Sequence, residues 1–483
     1  MLTQASSQSW ILSNAAHLLN RAGFGGTPAE IEAFHAMGRK AAIEHLLGKA
    51  ATPSPIVKVP EFENGGTLFL AKLEIRKQQN DLTPEQRREK IKEIQQKQAA
   101  VLREMRTWWI QRMTDPAYAP LEKATLFWHG HFATSVGKVR DPSLMWQQNT
   151  TLRTHAFGNF ANLLKAMSRD PAMMIWLDLQ NSHKQAPNEN WARELMELFS
   201  LGIGNYTETD IKNSARAFTG YRFNRQAAGF RFLPQEHDET EKTFMGRKGN
   251  FGGDDIIDII LDQPACAEFI AGKLWTFYAY EDPESDLIKT LARVLRRSKY
   301  ELRPFFAAMY GSQQFYSDKA VRTQIKSPTQ LVVATCHSLE CKPPRGHILQ
   351  QVMAGLGQTL FAPPNVKGWD SNRAWINTAT ITLRNRLTDT LLLANRNPDA
   401  AKRLADRGAA SRVSIDAIVP KHIQTDPEQL IDALTFRIFQ TRLPPTIRKE
   451  FLDYWNAPRA DGKERTIRDL IAHMMRTPLF QLC

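Results

Sequence analysis

Cysteine is scarce in this chain. Of 483 residues only Cys266, Cys336, Cys341 and Cys483 are cysteine, too few for a disulfide scaffold. No CxxC pair occurs, so a structural zinc site built on cysteine is not expected. The spacing in CHSLEC allows one small local bridge or none. No run of 18 apolar residues exists, so no transmembrane helix is expected. The opening stretch MLTQASSQSWILSNAAHLLNR has no early basic cluster and no continuous apolar run, so it does not read as a signal peptide. Walker A, GxGxxG after a strand, GxSxG and HExxH are all missing. That removes the commonest nucleotide, dinucleotide, serine-hydrolase and zincin readings. No low-complexity segment is present, and no compact Arg/Lys tract with interleaved aromatics. The net charge of +13 therefore points to acidic partners such as anionic glycans or envelope surfaces more than to nucleic acid.

What is there is mostly helical pattern. The hydrophobic share of 42% is enough to bury a sizeable core. Thr27-Pro28-Ala29-Glu30 and Thr83-Pro84-Glu85-Gln86 each read as a capping box with proline at the first helical position. Asp170 before Pro171 is a helix-start signal, and Thr207 with Asp210 reads as a capping pair. Between Glu85 and Arg106 a long charged helix carries seven Lys/Arg against four Glu, which reads as a solvated face, with an anion-binding or membrane-surface face as the alternative. ATPSPIVKVPEFENGG reads as a loop punctuated by proline, and RFLPQEHDETEKTFMGRKGNFGG as a small β-hairpin or ordered loop. LRPFFAAMYGSQQF and IRDLIAHMMRTPLF share a pattern of charge, apolar stretch and terminal Phe; two copies fall short of a solenoid. The expected fold is mainly α: a large multi-helix domain over residues 1–387 with a small β-hairpin, then a C-terminal helical extension over 388–483.

Three constellations stand out as candidates for chemistry. In LFWHGHFATS, His129 and His131 are one residue apart. In an extended segment both rings face one side, whereas a helix splays them by about 200°. HxH is a frequent metal-binding pattern, and structural hydrogen bonding at a helix end is the competing reading. In NENWARELMELFSLG, an apolar helix keeps several polar groups together. Asn190, Glu194 and Glu197 share one face, Arg193 borders it, and Trp191, Leu195 and Leu198 lie elsewhere. Two glutamates one turn apart repel unless a cation or proton sits between them. They suit acid/base work or metal binding, or else belong to a buried Arg–Glu network. In QEHDETEKTF, His237 and Asp238 are adjacent with Lys242 four residues on, a set able to ligate, act as a base or hold a loop. Asp178 sits oddly within an apolar run. In NVKGWDSNRAWIN, Lys367, Trp369 and Trp375 suit a wall for sugar stacking or anion binding, with core packing as the alternative.

HLLNRAGFGG, LFWHGHFATS, DPAMMIWLDL, NENWARELMELFSLGIGNYTETDIKNSARAFTGY, HDETEKTFMG and PPNVKGWDSNRAWIN occur in that order. Together they resemble the large bacterial family of unknown function numbered 1800, over about Ala16 to Arg384. His129 and His131 match its histidine pair. Asn188, Asn190, Arg193, Glu194 and Glu197 match its NEN-x-ARE-x-x-E core, His237, Asp238 and Lys242 its HD…K loop, and Lys367, Gly368 and Trp369 its KGW motif. The resemblance implies an exported protein, because family members commonly carry an export signal. Their genes often sit beside one for an alkaline-phosphatase-like protein, which implies a shared envelope or extracellular-polymer substrate.

The expectation from residues and resemblance together is a hydrolase acting on a glycan or other cell-envelope polymer. Glu194, Glu197, His237, Asp238 and Arg193 would form its catalytic group. Asn188, Asn190, Lys242, Lys367 and Trp369 would bind substrate, and His129 and His131 a divalent transition metal. The site is either metal-dependent or a carboxylate acid/base pair. The competing expectation is a non-enzymatic binding or assembly partner of the alkaline-phosphatase-like protein, with the polar cluster structural. The compartment is periplasmic or extracellular if a leader precedes this sequence, and otherwise cytoplasmic.

Overall fold

Four helix starts legible in the sequence are formed by the caps that announce them. The structure, a computed structural model, describes residues 10–48, 75, 82–224, 229–393, 413–458 and 466–483. Thr27 opens the helix Pro28–Met37: Glu30 N–H donates to Thr27 Oγ1, and Thr27 N–H to Glu30 Oε2. Thr83 and Gln86 do the same for Pro84–Met113, and Thr207 and Asp210 for Glu208–Ala217. Asp170 accepts from Met173 N–H at 2.8 Å to start Pro171–Trp176. Each cap satisfies amides that a helix N-terminus leaves without intrahelical partners.

The fold is mainly α, with two small antiparallel two-stranded sheets. β1 (Tyr221–Asn224) pairs with β2 (Gly229–Phe232), and β3 (Lys242–Phe244) with β4 (Arg247–Gly249). Met245 and Gly246 join β3 to β4, both with positive φ (47° and 77°). Positive φ at both central residues is what a two-residue turn needs to match strand twist. The expected hairpin thus forms at KTFMGRKG, but His237 and Asp238 lie in the connection before it. The Pro-punctuated stretch 51–66 lies outside the described residues.

Apolar side chains gather in two cores. One is built by helices including Leu12–Ala22, Phe160–Ser168, Glu189–Glu197, Pro264–Tyr278 and Ser285–Arg297. The other joins Pro84–Met113, Pro328–Ser338, Gly346–Leu356 and residues of the last hundred such as Leu430, Leu434 and Leu470. The helix Ala119–His131 serves both, giving Phe127 and Trp128 to the first and Ala119 and Leu126 to the second. The two similar sequence segments adopt one local form. Leu302–Gly311 and Ile467–Met475 are each followed by a 3-10 turn bearing a buried Phe, Phe315 and Phe480. Among the described residues no helix is long and apolar enough to cross a membrane.

Candidate functional site

The helix Glu189–Glu197 is amphipathic, where the sequence read as an apolar one. Trp191, Ala192, Leu195 and Met196 are buried, while Arg193, Glu194 and Glu197 are half-buried and Asn190 is exposed. Most of its polar groups hold neighbouring chain. Asn188 caps the helix by accepting from Asn190 N–H at 2.9 Å, and its Nδ2 donates to Asp178 O. Asn190 Nδ2 donates to Leu177 O at 3.2 Å. Arg193 forks onto both carboxylate oxygens of Glu208, at 2.9 and 3.0 Å. Glu197 accepts from the Tyr206 hydroxyl at 2.9 Å. Glu194 differs: among the described residues no hydrogen bond reaches its carboxylate. Burial, and then the neighbouring Glu197, push its pKa up. Asp178 points to Lys138, whose Nζ lies 2.7 Å from its Oδ2, in a left-handed backbone turn (φ 59°).

The His237–Asp238 segment is anchored to the end of the helix Glu208–Ala217. His237 Nδ1 donates to Thr219 O at 2.9 Å. Asp238 accepts from Arg216 Nε at 2.7 Å and from Thr240 N–H at 2.9 Å. Burial alone raises its pKa, but these bonds outweigh burial and hold the carboxyl well below the usual carboxylate range. Lys242 is buried, and its ammonium donates to Asp238 O and Thr240 O. This lysine closes the loop upon itself.

His129 and His131 stand in the last turn of the helix Ala119–His131, so the helical splay applies. His129 Nε2 accepts from Phe361 N–H at 3.0 Å, and its ring lies among Trp109, Phe361 and Trp369. His131 Nε2 donates to Phe199 O at 3.0 Å, just past the Glu189–Glu197 helix, amid Phe127, Trp128 and Phe132. Burial, aided by Arg106, takes His129 down to about 3; burial and Lys273 take His131 well below its ordinary value. Both imidazoles are therefore neutral. Among the described residues no three His, Cys, Asp or Glu side chains gather as metal ligands. The structure thus does not bring the histidine pair together with Glu194, Glu197, His237 or Asp238 as one ligand set.

It does bring the histidine motif to the KGW motif. Gly368 has φ 92°, and a Cβ there would lie 2.5 Å from Gly130 O. Only glycine allows so close a backbone approach. Beside this contact opens a cleft of about 500 Å³. Helix Ala119–His131 gives it Lys123, Phe127 and His131; helix Pro264–Tyr278 gives Glu268, Phe269, Lys273 and Phe277; the 367–375 loop gives Lys367, Trp369 and Trp375. Glu281 pins that loop, accepting from Ser371 Oγ at 3.1 Å and Asn372 Nδ2 at 2.8 Å, and Asn372 Oδ1 accepts from Ile325 N–H. Wider surface grooves run along Pro84–Met113 and beside Arg39–Gly48, but neither contains a motif residue.

Sequence reasoning placed Lys367, Trp369, Trp375 and His131 among candidates, and the cleft collects all four. It missed Lys123, Lys273, Phe269, Phe277 and Glu281. A signal existed for the lysines, since PLEKATLFW and FIAGKLWTF each set one lysine inside an apolar helical run, where lysine is rarely buried without reason.

A family model described as protein of unknown function, DUF1800, matches residues 17–482. The chain belongs to this family, which the ordered motifs had suggested over a shorter span. No curated protein and no solved structure matches it.

Proposed function

We propose that the protein is a hydrolase of a glycan or other cell-envelope polymer, and that it works in the cleft between the HGH and KGW motifs. The observation that carries this reading is the joining of Trp369 and Trp375 with carboxylates in one open cleft. Indole faces bind sugar-like rings by apolar contact. The carboxylate branch of polymer hydrolysis needs an oriented carboxylate, and Glu281, with a donor on each oxygen, is one. Glu268 and Asp370 line the same cleft and supply candidates for its partner.

Of the two chemical branches, the carboxylate pair is the better supported. The lone pair of His129 Nε2 is taken by the Phe361 amide, and His131 Nε2 carries a proton. His131 keeps an unpartnered lone pair on its buried Nδ1, yet among the described residues no three ligating side chains gather to hold a metal.

One observation favours the other reading, a binding or assembly partner of an alkaline-phosphatase-like protein. Arg193, Glu197, His237, Asp238 and Lys242 have partners within the chain, as a structural network would.

The test is a panel of envelope and extracellular polysaccharides incubated with the full chain, Trp369→Ala and Glu281→Gln. Cleavage by the native chain, with a loss of about a hundredfold or more in Glu281→Gln, supports the hydrolase. Binding without cleavage, weakened by Trp369→Ala, leaves the cleft as a binding site and removes the enzyme.

A further inference from the structure

We propose that this cleft holds a subsite for an acidic group, a carboxylate or phosphate carried on a ring of the polymer, received by Lys123, with Lys273 and Lys367 as further cations on the cleft wall. The inference rests on the cleft being the site and names the class of its substrate.

Lys123 is the central observation. Its side chain is only 4% exposed, so nine-tenths and more of it is buried. Among the described residues nothing accepts a hydrogen bond from its ammonium and no carboxylate pairs with it. It rests against the rings of Phe24 and Phe277, with Nζ 4.9 and 5.5 Å from their centroids. Its remaining outlet is the cleft it lines. A buried cation without an anion is costly, and the cost is relieved when a ligand brings the missing charge. Glu122, next to it in sequence, is committed elsewhere, to Trp109, Arg112 and Arg153.

Two further cations line the same cleft. Lys273 has a single weak acceptor, Leu198 O at 3.4 Å, and Lys367 is close enough to disfavour its charge. An anion seated between them would turn that repulsion into attraction. No ion pair among the described residues ties Lys123, Lys273 or Lys367 to Glu268, Glu281 or Asp370, although all line one cleft. Phe269 and Phe277 beside the ammonium groups, with Phe127 in the same lining, suit a ring that bears the acid more than a bare inorganic ion.

The groups facing Lys123 set its titration. Burial brings Lys123 to about 8, the side of Cys483 opposes that shift and Arg21 adds to it; Lys273 is also brought to about 8, by burial and Lys367. Binding of an acidic ring is therefore strongest below pH 8 and fades above it.

The experiment is calorimetric titration of the full chain with three probes: oligogalacturonate for the carboxylate, poly(glycerol phosphate) for the phosphate, and a neutral cello-oligosaccharide. We expect one acidic probe to bind about tenfold or more tighter than the neutral one at pH 7. That preference should shrink by pH 9 and vanish in Lys123→Met. Which acidic probe binds tells carboxylate from phosphate. Equal binding of all three, unaffected by Lys123→Met but weakened by Trp369→Ala, overturns the acidic subsite and keeps the cleft. Binding of none overturns both. If Lys123→Met does not fold, the native chain is reductively methylated with 13C and its lysine resonances followed against pH. The bound acidic probe should raise a lysine titration near 8 by about one unit or more. An unchanged titration in the presence of a probe that binds overturns the subsite.

Discussion

Glu122 is fully buried and holds three donors from two other helices: Trp109 Nε1 at 2.7 Å, Arg112 Nε at 2.5 Å and Arg153 Nε at 2.8 Å. Removing it strands the buried Arg112 guanidinium and the half-buried Arg153 one. Glu122→Ala should cost about 3–5 kcal/mol, measured by urea unfolding. A change below about 1 kcal/mol would mean that water, not Glu122, satisfies the arginines. Nothing in PLEKATLFW announces this role, because its partners stand on other helices, 10, 13 and 31 residues away. Gly368 is the opposite case. Its motif was visible, but the reason for glycine was not, since the atom it avoids is the Gly130 carbonyl oxygen. Gly368→Ala combines a strained φ with that clash. It should lower stability by about 1–3 kcal/mol and weaken polymer binding together, as read by thermal melting and calorimetry.

At the scale of elements, caps were the most legible feature because they are local chemistry. Thr207 and Asp210 bond each other's amides within four residues, so no distant partner is needed to foresee them. Thr207→Ala should cost about 1 kcal/mol and loosen the helix that Arg193 reaches through Glu208. Faster amide exchange confined to residues 208–217 would be its signature, and unchanged exchange would deny the cap that role. The histidine pair shows where local reading stops. HxH spacing serves one ligand site only in an extended segment, and here the apolar run LFWHGH continues as helix. The rings then part, one to Phe361 and one to Phe199. The polar helix Glu189–Glu197 is similar. Its spacing gave the shared face correctly, but partner choice depended on Glu208 and Tyr206, which arrive through the following turn.

Across the whole molecule, burial of ionisable groups gives stability a pH dependence with a definite sign. His17 and His129 are brought down to about 3, and His131 well below its ordinary value, mainly by burial. The unfolded chain binds protons at these sites below pH 6.5 while the folded chain does not. Stability is therefore lost as pH falls below 6.5, by roughly 2 kcal/mol per histidine at pH 5. Asp170, raised to about 7 by burial, works in the other direction, since the folded state takes up its proton first. His155, also lowered by burial, adds to the loss and Glu194, raised, subtracts from it; the three fully buried histidines outweigh the carboxyls and leave a net loss of a few kcal/mol. Urea midpoints measured from pH 7 to pH 5 should fall accordingly, and His17→Phe should flatten the slope. A flat profile in the native chain would mean that the histidines are charged when folded. The mainly helical class was visible in the apolar periodicity. The cleft was not, because its walls come from residues 123–131, 268–277 and 367–375, and their meeting is a property of topology.

The bond from Phe361 N–H to His129 Nε2 joins residues 232 apart. During biosynthesis at roughly 5–20 residues per second, His129 leaves the ribosome roughly 10–50 s before its partner is made. Throughout that interval the HGH helix has no KGW loop to lean on, and the aromatic wall that becomes the cleft faces water. The nascent chain therefore passes through a long phase with an open, sticky seam, when a holding chaperone has the most to grip. Synonymous codons that slow translation between residues 131 and 361 would lengthen that phase and lower the yield of soluble protein, without altering a single side chain.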